Sequence, residues 1–73
     1  MHKLLIVIEK AGNNYSCYSP DLPGVISTGK TKEETKKNMA EAIKMHIDGL
    51  IEDGINIPES VSFVEYLTNF EYI

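Results

Sequence analysis

One stretch constrains this chain more than any other. From Thr31 to Gly54 the sequence carries the start, body and stop of a single long helix, in a chain of 73 residues. Thr31 followed three residues later by Glu34 is a capping-box pattern, in which side chains satisfy N–H groups that the first turn leaves unpaired. Glu33 and Glu34 lie where the helix dipole favours negative charge. Met39, Ala42, Ile43, His46, Ile47, Leu50 and Ile51 then recur at spacings of three and four, which draws them into one stripe. Lys32, Lys36, Lys37, Glu41, Lys44 and Asp48 lie off it, and Glu33 precedes Lys37 by four, the favourable order for a helix pair. Gly54 suits the left-handed position that ends a helix, and Pro58 prevents continuation. The spacing predicts a helix over about 32–53.

The segment before it reads as strands. Lys3–Lys10 is β-branched with polar ends, and Ala11-Gly12-Asn13-Asn14 after it is a turn cluster. Tyr15–Ser19 resumes with strand-favouring aromatics, so the two make a hairpin. A short third strand follows at 25–28. The expected strands are therefore 3–10, 15–19 and 25–28. Residues 61–73 are ambiguous: Val, Phe, Tyr and Ile favour a fourth strand near 62–67 followed by a loosely held tail, whereas Ser62 with Glu65 suits one helical turn. The fold class is α+β, with element order β-β-β-α-β in a single domain.

Between the second and third strands stands Ser19-Pro20-Asp21-Leu22-Pro23-Gly24. Pro23-Gly24 suits the centre of a type II turn, where proline presets φ and glycine accepts a positive φ. Asp21 can bond back to nearby N–H groups, and Pro20 cannot donate to a ladder, so it ends the second strand. This stiff corner either packs Leu22 beneath it or presents Asp21 and Leu22 to a partner.

Alternation puts Leu4, Ile6 and Ile8 on one face of the first strand and Leu5 and Val7 on the other. Both sets are apolar, yet one helix covers only one face. The face bearing Leu5 and Val7 is left for a homo-oligomer contact or a partner, because large exposed apolar patches mark interaction surfaces. The competing reading folds the C-terminal segment over that face, although its acids make it a poor core element.

Charge narrows the partner. The net charge is −4, and residues 51–73 hold Glu52, Asp53, Glu59, Glu65 and Glu71 with no basic residue. A nucleic-acid surface needs a basic stripe, which is missing here. The acidic end serves solubility or faces a basic partner. The single cysteine, Cys17, excludes an internal disulfide and reads as a small apolar residue of a reducing, cytoplasmic compartment. The run Leu4–Ile8 is too short for a signal peptide's apolar region or a membrane span.

No catalytic constellation stands out. His2 falls in a frayed N-terminus, and His46, on the stripe, reads as a packed histidine rather than a catalytic one. Glu9 and Asp21 alone do not make a two-metal carboxylate site, and no phosphate loop or nucleophile elbow occurs. No enzyme activity and no cofactor are expected.

The order of an apolar strand, a Gly-Asn turn, Tyr18-Ser19-Pro20-Asp21-Leu22-Pro23-Gly24-Val25, Thr31-Lys32-Glu33-Glu34 at a helix start, Ala42–Leu50, then Glu52-Asp53-Gly54 and Ile57-Pro58-Glu59 resembles the HicB-like antitoxin family. The match covers residues 3 to about 60. The resemblance implies a truncated ribonuclease H-like fold without nuclease activity. It also implies a partner, HicA, a small basic toxin that cleaves mRNA and whose active surface the antitoxin blocks. Many relatives add a C-terminal DNA-binding domain. Only about a dozen residues follow the matched region here, so direct nucleic-acid binding is not expected. Candidate partner contacts are Asp21, Leu22, Glu52, Asp53, Glu59 and Glu65. A second reading is a stand-alone oligomeric small-ligand-binding or degenerate enzyme-like domain built around Tyr15, Tyr18 and His46.

Overall fold

The computed structural model describes residues 3–68. They form strands β1 (Val7–Ala11), β2 (Asn14–Tyr18) and β3 (Ile26–Gly29) and helix α1 (Lys32–Glu52). The strands make one antiparallel sheet in the order β1-β2-β3, as the α+β reading expects. Gly12, with φ 62°, turns β1 into β2 so that Ala11 lies opposite Asn14.

β1 begins four residues later than the expected 3–10. Its neighbour stops at Tyr18, because Pro20 has no N–H to extend the ladder. Side chains take the ladder's place at Leu5. Its N–H donates to Asp21 Oδ2 at 2.8 Å, and its carbonyl accepts from Ser19 Oγ at 2.7 Å. The corner itself is two successive turns. Leu22 N–H donates to the Ser19 carbonyl and Val25 N–H to the Leu22 carbonyl, both at 3.3 Å. Gly24 sits at φ 89°, the positive value a type II turn requires of its third residue.

The core lies between sheet and helix. Cys17, Leu22, Val25 and Met39 are buried there, with Leu4, Ile6, Ile8, Ala42 and Ile43 packed against them. Alternation along the first strand thus places its residues as expected. β3 runs so close to α1 that a Cβ on Gly29 would stand 2.7 Å from Thr35 Oγ1, and Thr35 is fully buried. Ser27 Oγ donates to the Thr35 carbonyl at 3.0 Å and Asn38 Nδ2 to the Thr28 carbonyl at 2.9 Å. These bonds tie helix to sheet edge.

Both helix ends follow local rules. Thr31 Oγ1 accepts from Glu34 N–H at 3.0 Å. At the other end Gly54, at φ 70°, donates to the Ile51 carbonyl and Ile55 donates to the Leu50 carbonyl, the paired bonds of a Schellman motif. His46 departs from the expectation of a packed histidine, because it is exposed. Twenty-one helical residues span about 31 Å, whereas strands of four or five residues reach about 13–17 Å. Past Met39 the stripe is half-buried at Ala42, Ile43, Ile47 and Leu50, and His46 falls at its exposed margin.

The fourth strand expected near 62–67 does not form within the single chain. Ser60 N–H donates to the Lys3 carbonyl at 3.1 Å, and residues 61–68 then carry no regular structure. Past Ser60 the segment takes up no ladder bonds to the open edge of β1 among the described residues. Nor does it cover the second sheet face, since Val61, Phe63, Val64, Tyr66 and Leu67 are all exposed. The tail from residue 69 onward and His2 lie outside the described residues.

Candidate functional site

Register decides what the helix-free face presents. Residues directly opposite one another in a sheet share a face. Ile8, Cys17 and Ser27 lie in register on the core side, so the adjacent row of Val7, Tyr18 and Ile26 lies on the other. This row crosses the whole sheet. Leu5 and Val7 are half-buried, while Tyr18 is 42% and Ile26 69% exposed. An apolar patch with no covering element among the described residues is therefore the most distinctive surface of the domain. Leu5 and Val7 were legible as its members from alternation. The second-strand aromatics were also candidates, and the cross-strand register selects Tyr18 among them and adds Ile26.

The corner behaves differently from a presented loop. Leu22 is only 3% exposed and belongs to the core, so packing rather than presentation explains its rigidity. Reaching Leu22 would require opening the core. Asp21 is half-buried, and its carboxylate is committed to Leu5 N–H. Ser19, missed in the sequence reading, completes the device: its hydroxyl donates to Leu5 and accepts from Asp21 N–H at 3.2 Å. The signal available was an Asx-type pattern, but its target is 14–16 residues away in the chain.

The acids Glu52 and Asp53 close α1 and are exposed, as is Glu59 on the returning chain. Glu65 lies apart from them, on the exposed segment after Ser60. No basic residue occurs between 51 and 68, and the exposed Lys3 adjoins this segment through the bond from Ser60. The grouping of Tyr15, Tyr18 and His46 is not brought together around one pocket. Tyr15 and Tyr18 are three apart on one strand and so point to opposite sheet faces. Among the described residues no group of three or more His, Cys, Asp or Glu side chains could hold a metal ion. Burial pushes the Cys17 thiol above its ordinary pKa, which makes it an inert core group rather than a nucleophile.

A family model described as the HicB-like antitoxin of bacterial toxin–antitoxin systems matches residues 4–73. The chain belongs to the HicB-like antitoxin family. The crystal structure of the N-terminal domain of the Burkholderia pseudomallei antitoxin HicB superposes with a TM-score of 0.73 at 38% identity, covering 82% of this chain and 72% of that one. An uncharacterised 14.9 kDa protein of Haemophilus phage HP1 is 40% identical across 92% of this HicB-like chain, and the chain spans half of the phage protein's length. A UPF0150 protein of Helicobacter pylori is 43% identical over 64% of the chain and 65% of its own length. A third relative, a UPF0150 protein of Thermoplasma acidophilum, is 37% identical over 77% of the chain and 83% of its own length. Among the described residues, no helix is long and apolar enough to cross a membrane.

Proposed function

We propose that this HicB-like chain neutralises a small basic HicA-type toxin by stoichiometric binding in the cytoplasm, covering the surface with which the toxin cleaves mRNA. It performs no catalysis and contacts no nucleic acid itself. The observation that carries the reading is the uncovered row Val7–Tyr18–Ile26 on a domain of an antitoxin family. A toxin that holds RNA must be basic, and the acidic end at Glu52, Asp53 and Glu59 offers charge of the opposite sign. Long-range attraction speeds encounter, and apolar contact at Tyr18 and Ile26 sets how long the complex lasts.

The test is co-expression. A small basic protein encoded beside this chain is expected to arrest growth alone and to be harmless when both are produced. If that neighbour is harmless by itself, or stays equally toxic with this chain present, the proposal fails.

A further inference from the structure

The segment after Ser60 is built like a strand but has no neighbour. Val61, Phe63, Val64, Tyr66 and Leu67 are 60–96% exposed, a level the folded part of the chain reaches only at isolated positions. The radius of gyration is 14.8 Å, against about 11 Å for a compact chain of this length, so the molecule is drawn out rather than closed. Of the two border strands, β3 is tied to α1 by Asn38 and Ser27, whereas β1 has β2 on its inner side and no strand on its outer side among the described residues. Unprotected edges of this kind accept an added strand.

We propose that residues 61–67 are an exchange arm, and that in a two-fold dimer each arm adds as a strand along the open edge of β1 of a second copy, closing over Leu5 and Val7. The occupant follows from the pairing of unmet needs. Arm and edge belong to one chain and meet where Ser60 N–H bonds the Lys3 carbonyl. A two-fold axis therefore satisfies both arms and both edges at once, whereas a foreign partner would leave one of each unmet. The lengths agree, since seven extended residues reach about 23 Å and the five of β1 about 17 Å. Charge is permissive rather than decisive: the arm carries Glu65 and no basic residue, while β1 offers Lys10 beside Glu9, and Lys3 stands exposed just before it. Finally, Phe63 and Val64 line a cleft of about 350 Å³ together with Leu4 and Leu5, which they border without filling. This dimer does not depend on the toxin reading.

The experiment is light scattering and amide hydrogen exchange on the full chain and on Phe63→Asp, Tyr66→Asp and Ile26→Asp variants. The expected result is a dimer at micromolar concentration whose amides at 62–67 are protected. Phe63→Asp and Tyr66→Asp should each weaken dimerisation tenfold or more and release that protection. Both side chains are over 90% exposed in the single chain, so these changes leave the domain folded and its far-UV circular dichroism unchanged. Ile26→Asp, on the far edge strand, should leave the dimer intact. A monomer at high micromolar concentration overturns the proposal. So does a dimer with unprotected arm amides, or one lost with Ile26→Asp but not with the arm variants. Protection of the arm that arises only when a basic toxin is added would assign it to that partner and overturn it equally.

Discussion

The carboxylate of Asp21 accepts a hydrogen bond from the main-chain N–H of Leu5 at 2.8 Å, across 16 residues of sequence. It stands in for the strand residue that Pro20 prevents, and so fastens the chain's beginning to the corner. Replacing Asp21 with Ala strands a half-buried N–H and should cost about 1–3 kcal/mol. Asp21→Asn keeps an acceptor and should cost less than half as much. Urea denaturation of the two variants checks this; equal losses would mean that charge, not the bond to Leu5, matters at this position.

The helix and turns of this fold were legible because their causes are local. Thr31, Glu34 and Gly54 state where α1 starts and stops within a few residues of the bonds they make. Pro23-Gly24 states its turn in the same way. The start of β1 was not legible, because it depends on Ser19 and Asp21 reaching back to Leu5. His46 was misplaced because spacing assigns a residue to a stripe without saying where the stripe's exposed margin falls, and Ile47 and Leu50 beyond it stay half-buried. In the candidate site, Leu5 and Val7 followed from alternation alone and the second-strand aromatics were candidates, whereas choosing Tyr18 and adding Ile26 needed the register. Residues 62–67 have strand chemistry but pair with no strand among the described residues, and composition cannot report whether a neighbour is taken up.

Two glycines should respond to alanine with opposite signs. A methyl group at Gly29 would stand 2.7 Å from Thr35 Oγ1 and 2.8 Å from the Thr35 main-chain nitrogen, so backbone must move. The expected loss is about 1–3 kcal/mol. At Gly49, inside α1, a Cβ meets nothing within 4 Å, and helix propensity should add up to about 1 kcal/mol. Thermal unfolding should show Gly29→Ala falling and Gly49→Ala rising, by about 4–8 °C per kcal/mol in a domain this small.

Alkaline pH should probe Cys17. Burial raises its pKa in the folded chain, so above the thiol's ordinary pKa the unfolded chain loses a proton that the folded chain retains. Stability then falls with rising pH, because the unfolded state binds fewer protons. Denaturation midpoints for the natural chain should drop more steeply across that alkaline range than those of Cys17→Ala. Parallel curves would show that the thiol's environment is not dry.

Charge and contact should separate in the kinetics of toxin binding. Glu52→Lys with Asp53→Lys should slow association and flatten its dependence on salt, with little change in dissociation. Ile26→Asp, which alters a side chain 69% exposed in the free domain, should leave association alone and speed dissociation tenfold or more, a loss of about 1.4 kcal/mol. Stopped-flow mixing at several salt concentrations distinguishes the two patterns.

Neutralisation by binding is tested most directly by titrating RNA cleavage. Purified toxin held at a concentration far above the dissociation constant is mixed with increasing amounts of this protein, and cleavage of a labelled mRNA fragment is followed. The expected result is a linear fall to complete inhibition at a fixed molar ratio, unchanged by added substrate RNA once the complex has formed. Cleavage that persists at a large molar excess of this protein would contradict the antitoxin reading.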